Sequence, residues 1–291
     1  MELTIDITGR TKLLGLVGTT VEHSMSPAMH TASFLKEGIN AVYLGFYVDN
    51  DQLKDAVEGL VALGAVGYNV TMPCKTYIGE YLDELDDAAA LMGAVNTVVI
   101  KDGKSIGYNT DGAGFARNMR LSGCEPEGKI ATVLGAGGAG SAVFTQLALE
   151  KAAEVRIFNQ RDEFWEKTEG RLSEISAATG SKLTLHDLAD RDALAQSIAE
   201  SDVLVNATRV GMVPDVDACL VDEDMLHDGL KFVADTVYEP HETKLIKMAK
   251  SKGLVTGGGL GMLLQQAAIA EKIWFDMEMP VDYIEETFYK D

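Results

Sequence analysis

The sequence predicts an α/β protein of two domains. The first is an N-terminal, mostly parallel α/β domain, and the second is a Rossmann-like dinucleotide-binding domain, with the C-terminal helix returning to the first. Three observations predict this. Short apolar runs alternate with amphipathic stretches of about 10–15 residues, the signature of βαβ units and a parallel sheet. A glycine-rich segment, Gly135-Ala136-Gly137-Gly138-Ala139-Gly140, follows one apolar run and opens the next helical pattern. The chain has 291 residues, which at roughly 150 per domain is one large or two ordinary domains.

Taken in order, Lys12–Gly18 is a buried strand, followed by a polar loop to Pro27 and a helix over Ala28–Glu37. Ala41–Tyr47 is the next strand, and Asp51–Leu63 is helical with Asp49 or Asn50 as its cap. Ala65–Val70 is a third strand, ending at Thr71-Met72-Pro73. Val95–Ile100 and Ser105–Tyr108 flank Asp102-Gly103, a hairpin signal. The second series alternates strands at Ile130–Leu134, Val155–Asn159, Leu183–Leu185 and Val203–Ala207 with helices at Gly138–Glu150, Glu163–Thr179 and Arg191–Glu200. Lys231–Asp235 and Gly253–Val255 add two strands around a helix at Thr243–Ser251, and Met262–Phe275 is apolar and helical. The first boundary falls in Gly112–Gly123, and Gly257-Gly258-Gly259 is a flexible hinge. The domains are therefore 1–112 with 260–291, and 113–259. Phe275 to Asp291 is expected to pack on the first domain, its Tyr and Phe residues in the core.

Composition limits the function classes. With 25 Lys+Arg against 45 Asp+Glu the net charge is −20, which argues against nucleic acid or an anionic membrane as partner, because phosphates are held mainly by Lys and Arg. No apolar run approaches the roughly 18 residues of a membrane span, and Met1–Arg10 lacks a secretory pattern. Cys74, Cys124 and Cys219 fit neither a disulfide framework nor paired metal-ligand spacing. The five histidines form no i,i+4 pair, so no metal site is expected. The reading is a reduced, cytoplasmic, soluble protein.

Gly135, Gly137 and Gly140 match G-x-G-x-x-G, in which the first glycine makes the tight turn, the second admits the pyrophosphate and the third packs helix on strand. The helix start adds free N–H groups and a positive dipole end. About 20 residues on, where the adenosine ribose is read, stand Asn159-Gln160-Arg161-Asp162. An acid there binds the 2′-OH and repels a 2′-phosphate. Asp162 favours NAD, while Arg161 leaves NADP open; alternatively the pair merely solvates a turn.

In the first half, Ser24-Met25-Ser26-Pro27, Asn69-Val70-Thr71-Met72-Pro73-Cys74-Lys75, Asn96-Thr97 and Asn109-Thr110-Asp111-Gly112 gather polar side chains at strand and loop ends, where open α/β sheets bind ligands. Each has a bland alternative. Ser26 serves equally as a helix cap before Pro27, Asn109 and Asp111 as turn residues, and Lys75 as a solvated lysine.

Together with Gly107-Tyr108-Asn109-Thr110-Asp111-Gly112, Asn206-Ala207-Thr208 and Gly258-Gly259-Leu260-Gly261-Met262-Leu263, these motifs make the chain resemble the shikimate/quinate dehydrogenase family from Ser24 to Gln266. The resemblance implies a substrate-binding catalytic role for 1–112 with 260–291 and dinucleotide binding for 113–259. It further implies that Ser24, Ser26, Thr71, Lys75, Asn96, Asp111, Tyr238 and Gln266 hold the substrate, with Lys75 and Asp111 as the catalytic pair. It implies that Ala136, Gly137, Gly138, Ala139, Asn159, Gln160, Arg161, Asp162, Arg209, Thr236, Val237, Tyr238, Glu239 and Gly259 border the cofactor. Family members that use NADP usually carry Asn-Arg-Thr where this chain has Asn159-Gln160-Arg161-Asp162, so Arg161-Asp162 resembles the NAD-accepting branch. The implied reaction is NAD(P)-dependent oxidation of shikimate to 3-dehydroshikimate, with quinate as a further or principal substrate, and a homodimer is implied too. Two other readings stand beside it: a methylene-tetrahydrofolate dehydrogenase, disfavoured by the serine and Asn-Thr-Asp motifs, and a catalytically inactive NAD-sensing module, which predicts damage at Lys75 or Asp111. Both residues are present.

Overall fold

A computed structural model of the chain describes residues 6–290. The first five residues of the Met1–Arg10 stretch, and Asp291, lie outside the described residues. The chain divides into two compact units, Met1–Thr110 with Ala267–Asp291, and Asp111–Gln266.

The first unit contains, in order, β1 (Lys12–Gly18), α1 (Ser26–Lys36), β2 (Ala41–Tyr47), α2 (Leu53–Ala62), β3 (Gly67–Val70), β4 (Glu84–Leu85), α3 (Asp87–Met92), β5 (Thr97–Lys101) and β6 (Lys104–Tyr108). Its sheet runs β2-β1-β3-β5-β6-β4. The β2, β1 and β3 strands are parallel, β5 is antiparallel to both β3 and β6, and β4 runs parallel to β6. Asp102 and Gly103 close the β5–β6 hairpin with positive φ at both positions, the geometry a type I′ turn demands.

Strand alternation sends the residues of β1 to two cores. Leu13 and Val17 join Leu53, Val57 and Tyr68 under α2. Leu14 and Leu16 join Phe34 of α1 and Trp274 on the other face. A strand apolar at every position is what burial on both sides requires. The Trp274 indole N–H donates to Val98 O at 2.9 Å. Its ring fills the space that a side chain at Gly67 would occupy, so Gly67 is glycine because of a tryptophan far along the chain.

The second unit contains most of α4 (Thr110–Leu121), then β7 (Ile130–Leu134), α5 (Gly138–Leu149), β8 (Glu154–Asn159), α6 (Trp165–Thr179), β9 (Lys182–Asp187), α7 (Arg191–Ala199), β10 (Val203–Asn206), β11 (Phe232–Asp235), α8 (Lys244–Ser251), β12 (Thr256–Gly257) and the start of α9 (Gly259–Phe275). All strands are parallel, in the order β12-β11-β10-β7-β8-β9. This is the doubly wound Rossmann arrangement, whose strand order reverses beside β7. One face is covered by α7 and α8 through Leu194, Ile198 and Leu245. Back in the first unit, α10 (Val281–Phe288) lies near α1, where Lys36 Nζ sits 4.8 Å from the Tyr283 ring centre.

Several boundaries differ from the sequence reading. The segment expected as one helix over Asp51–Leu63 opens with a separate tight turn at Asn50–Gln52, capped by Asp49, whose carboxylate accepts the Asn50 N–H at 2.7 Å. Gly253 is left-handed (φ +74°) and ends the α8 turn, so the last strand is Thr256–Gly257 rather than Gly253–Val255. The Gly257–Gly259 run is no hinge. Gly257 is paired in β12 and Gly259 starts α9, where a Cβ would lie 2.5 Å from the carbonyl oxygens of Thr236 and Val237. The unit division instead falls inside α9, between Gln266 and Ala267. No helix among the described residues is long and apolar enough to cross a membrane.

Candidate functional site

In the first unit, the candidate residues cluster at the carboxyl ends of β1, β3 and β6 and at the amino end of the antiparallel β5. Thr71 leaves β3 with its N–H on Val17 O at 2.8 Å. Gly18 (φ +151°) lies so close beneath that a Cβ there would be 2.5 Å from Thr71 Cγ2. Met72–Pro73 is a cis peptide, and a tight turn over Cys74–Thr76 follows. Buried Cys74 anchors this turn, its Sγ 3.5 Å from Val48 O. The Val95 N–H donates to Lys75 O at 2.8 Å, so the backbone carbonyl of half-buried Lys75 is fixed across the turn. Ser24 Oγ accepts the Ser26 N–H at 3.2 Å, and α1 has no side-chain cap on its first turn. Ser26 therefore does not act as the cap, and Pro27 supplies the helical start in the usual way.

Beneath these groups is a buried polar network. Tyr43 Oη donates to Asn69 Oδ1 at 2.7 Å, and Asn69 Nδ2 donates to Asn96 O at 3.1 Å and Thr97 Oγ1 at 2.9 Å. Asn96 Oδ1 accepts the Thr110 N–H at 2.7 Å and the Thr97 hydroxyl at 3.0 Å, which caps the start of α4. Burial pushes the Tyr43 phenol well above its ordinary value. Asn69, grouped in sequence with the exposed-looking polar run, is thus scaffold, and Asn109 is tied to Ala94 O at 3.0 Å. No periodicity marks these residues, because what fixes them is a partner on another strand.

In the second unit, the glycine loop divides into two kinds of glycine. Gly135 is left-handed (φ +100°), its N–H on Phe158 O at 2.7 Å, and a Cβ there would meet Thr208 Cγ2 at 2.8 Å. A Cβ on Gly140 would collide with Gly135 O. Gly137 and Gly138 are exposed, and a Cβ on either would meet nothing within 4 Å. The first and third glycines are thus demanded by helix–strand packing. The second leaves an open cradle at the N-terminus of α5, which suits a pyrophosphate.

The remaining cofactor candidates surround this loop. Asn159 Oδ1 accepts the Ala136 N–H at 3.1 Å and so shapes the loop itself. Gln160 is exposed. The Arg161 guanidinium lies 5.0 Å from the Trp165 ring centre, and Asp162 Oδ1 accepts the Phe164 N–H at 3.0 Å. Past β10 and β11, Arg209, Tyr238 and Glu239 are exposed, while Thr236 is half-buried and Val237 buried. Asp111 stands in the first turn of α4. Gln266 lies on α9 tight against α4, with a Cβ on Gly114 only 2.6 Å from the Gln266 nitrogen. Sequence reasoning quoted Asn206 only within a motif and missed Asp235; the two are buried at the ends of β10 and β11. The only signal for them was a polar residue closing an apolar strand. No group of three or more His, Cys, Asp or Glu suited to a metal occurs among the described residues.

Comparison with known proteins follows the same outline. The shikimate dehydrogenase substrate binding domain profile matches residues 16–98, and the shikimate 5′-dehydrogenase C-terminal domain profile matches 259–287. The chain is 45% identical to a shikimate dehydrogenase (NADP(+)) of Listeria monocytogenes over 289 residues, 99% of each protein. It is 42% identical to a quinate/shikimate dehydrogenase of Escherichia coli over 283 residues, 97% of this chain and 98% of that one. Its fold matches the crystal structure of Listeria monocytogenes shikimate 5-dehydrogenase in complex with shikimate and NAD at a TM-score of 0.94, covering 99% of this chain and 100% of the other.

Proposed function

Because this chain belongs to the shikimate dehydrogenase family, we propose that it catalyses the reversible NAD(P)-dependent oxidation of shikimate to 3-dehydroshikimate and accepts quinate as a second substrate. The observation that carries the reading is the fixed turn at the end of β3, with Lys75 held by its own backbone and Thr71 beside it. Ser24, Ser26, Thr71, Asn96, Tyr238 and Gln266 hold the substrate's carboxylate and hydroxyls. The amides of exposed Gly137 and Gly138 and half-buried Ala139 hold the pyrophosphate, and residues 159–162 face the adenosine. Arg209, the Thr236–Glu239 segment and Gly259 border the other half of the dinucleotide.

When bound, the nicotinamide supplies the hydride acceptor, or the donor in reverse. The protein's own task is the proton. In the oxidative direction Lys75 Nζ takes the proton of the reacting hydroxyl as the carbinol C–H electron pair departs, and in reverse it returns that proton. Asp111 orients the amine and accepts a hydrogen bond from the substrate. Asp162 favours NAD: one carboxylate oxygen is fixed by Phe164 N–H, and the other is available to a ribose 2′-hydroxyl while its charge opposes a 2′-phosphate. Arg161 is drawn over Trp165. We place the protein in the cytoplasm as a homodimer, in keeping with three free cysteines and the family resemblance.

A steady-state assay pairing shikimate and quinate with NAD and NADP tests the reading, repeated on Lys75→Ala. Shikimate with NAD is expected to give the highest kcat/KM. Lys75→Ala is expected to lose on the order of 10²–10⁴ in kcat with dinucleotide affinity retained. Near-normal turnover in Lys75→Ala would sink the acid/base assignment, and a preference for NADP would sink the role of Asp162.

A further inference from the structure

We propose that Asp235 is a positioning residue for the nicotinamide half of the dinucleotide, acting by latching the loop after β10 to the loop after β11. This rests on the dinucleotide reading above. Asp235 closes β11 in register with Asn206, which closes β10, and both side chains are buried, at 2% and 5% exposure. Asp235 Oδ1 accepts Asn206 Nδ2 and the Val237 N–H, each at 3.0 Å, while Oδ2 accepts the Thr243 hydroxyl at 2.7 Å. Asn206 in turn donates to Val210 O at 3.1 Å and accepts Thr208 through its N–H at 3.2 Å and its hydroxyl at 2.7 Å. The Thr208 hydroxyl receives the Val210 N–H at 3.1 Å. One carboxylate therefore fixes the loop carrying Arg209, the loop carrying Thr236 to Tyr238, and the start of α8.

Sheet order says what those loops serve. The cradle of Gly137 follows β7, and the adenosine-reading segment follows β8 on one side of it. A dinucleotide whose pyrophosphate sits at β7 must carry its other half over the opposite neighbours, β10 and β11. Asp235 lies at the root of both. Being buried, it works through the loops rather than by contact, and burial without those three donors would be costly for a carboxylate.

The test separates the two halves of the ligand. Binding of NAD+, NADP+ and ADP-ribose is measured by calorimetry on the wild type and on Asp235→Ala and Asp235→Asn. ADP-ribose carries the adenosine and pyrophosphate but no nicotinamide. Asp235→Ala is expected to weaken whichever dinucleotide binds the wild type more tightly by at least about tenfold, as for loss of one to two ordinary hydrogen bonds, and to leave ADP-ribose within about twofold. Asp235→Asn is expected to restore most of the loss. Its Oδ1 still accepts from Asn206 and Val237, and its amide can donate to the Thr243 hydroxyl. Should Asp235→Ala fail to fold, Thr208→Val, which removes the hydroxyl's two hydrogen bonds to Asn206 and Val210, is expected to give the same selective loss, roughly tenfold. Equal weakening of dinucleotide and ADP-ribose, or no weakening of either, overturns the proposal. A wild-type chain that binds ADP-ribose but neither dinucleotide overturns the dinucleotide reading itself, and the inference with it.

Discussion

Two glycines of the same loop should respond to alanine in opposite ways. Gly140 is buried, and a methyl on it would collide with the carbonyl oxygen of Gly135. That carbonyl cannot swing away, because Gly135 is held by its N–H on Phe158 O and is hemmed in by Thr208. Gly140→Ala must therefore push α5 off the sheet, an overpacking cost of about 1–3 kcal/mol. For a unit of this size that corresponds to a fall of roughly 2–12 °C in Tm. Gly137 is exposed, with φ −71° and ψ −167°, which any residue adopts, and open space around it. Gly137→Ala should cost at most about 1 kcal/mol as a poorer helix cap. Its methyl, however, enters the volume where backbone amides meet the pyrophosphate. Losing one charge-assisted bond there is worth about 1.5–3 kcal/mol, or roughly 10- to 100-fold in Kd. Scanning calorimetry of the ligand-free variants and titration calorimetry with NAD+ separate the two effects. A Gly137→Ala protein that binds NAD+ within twofold of the parent would refute the cradle, and an unshifted Tm in Gly140→Ala would refute the packing argument.

Two further outcomes follow from buried and partly buried charge. Glu271 is fully buried and accepts Ser33 Oγ at 2.6 Å beside His30 Nδ1 at 2.7 Å, so Glu271→Ala strands both partners in the core. It should lower unfolding stability by about 2–5 kcal/mol in urea titration, and a loss below about 1 kcal/mol would contradict the network. Glu154 is held below the ordinary carboxylate range by hydrogen bonding to Arg156, with Lys182 adding to the effect against the opposing cost of burial. A depressed folded-state pKa contributes stability above the unfolded value, about 4.3, and loses it as pH falls through the folded one. Glu154→Gln should therefore cost about 0.5–1 kcal/mol at neutral pH, with the gap to wild type closing on acidification. A gap that widens in acid would show the sign to be wrong.

The legible part of the candidate site was the part with local causes. Thr71, Lys75 and the glycine loop stand at strand ends that apolar runs announce, and turn chemistry at Asp102-Gly103 acts within a few residues. Ser26 was open to two readings, and the structure decided against the cap because Ser24 receives its N–H. Asn69 looks in sequence like a ligand-facing amide, yet it binds Tyr43 and Thr97, while Asn96, kept in the proposed substrate set, also accepts the Thr110 N–H through Oδ1.

By itself the sequence determined the alternation of strands and helices, the parallel α/β character that follows from it, and the glycine and lysine motifs. Their physics is short-range: side-chain period, φ preference and burial on both faces of a sheet. Only the tertiary structure decided which polar groups are spent inside. His30 meets Glu271 across 241 positions, and Asn206 meets Asp235 across 29. It also placed the ends of the Gly257–Gly259 run in tight packing, Gly257 against Phe232 and Gly259 against the carbonyls of Thr236 and Val237, on a loop that precedes a whole helix. A buried donor must find an acceptor wherever the fold brings one, and that partner is set by which strands lie side by side.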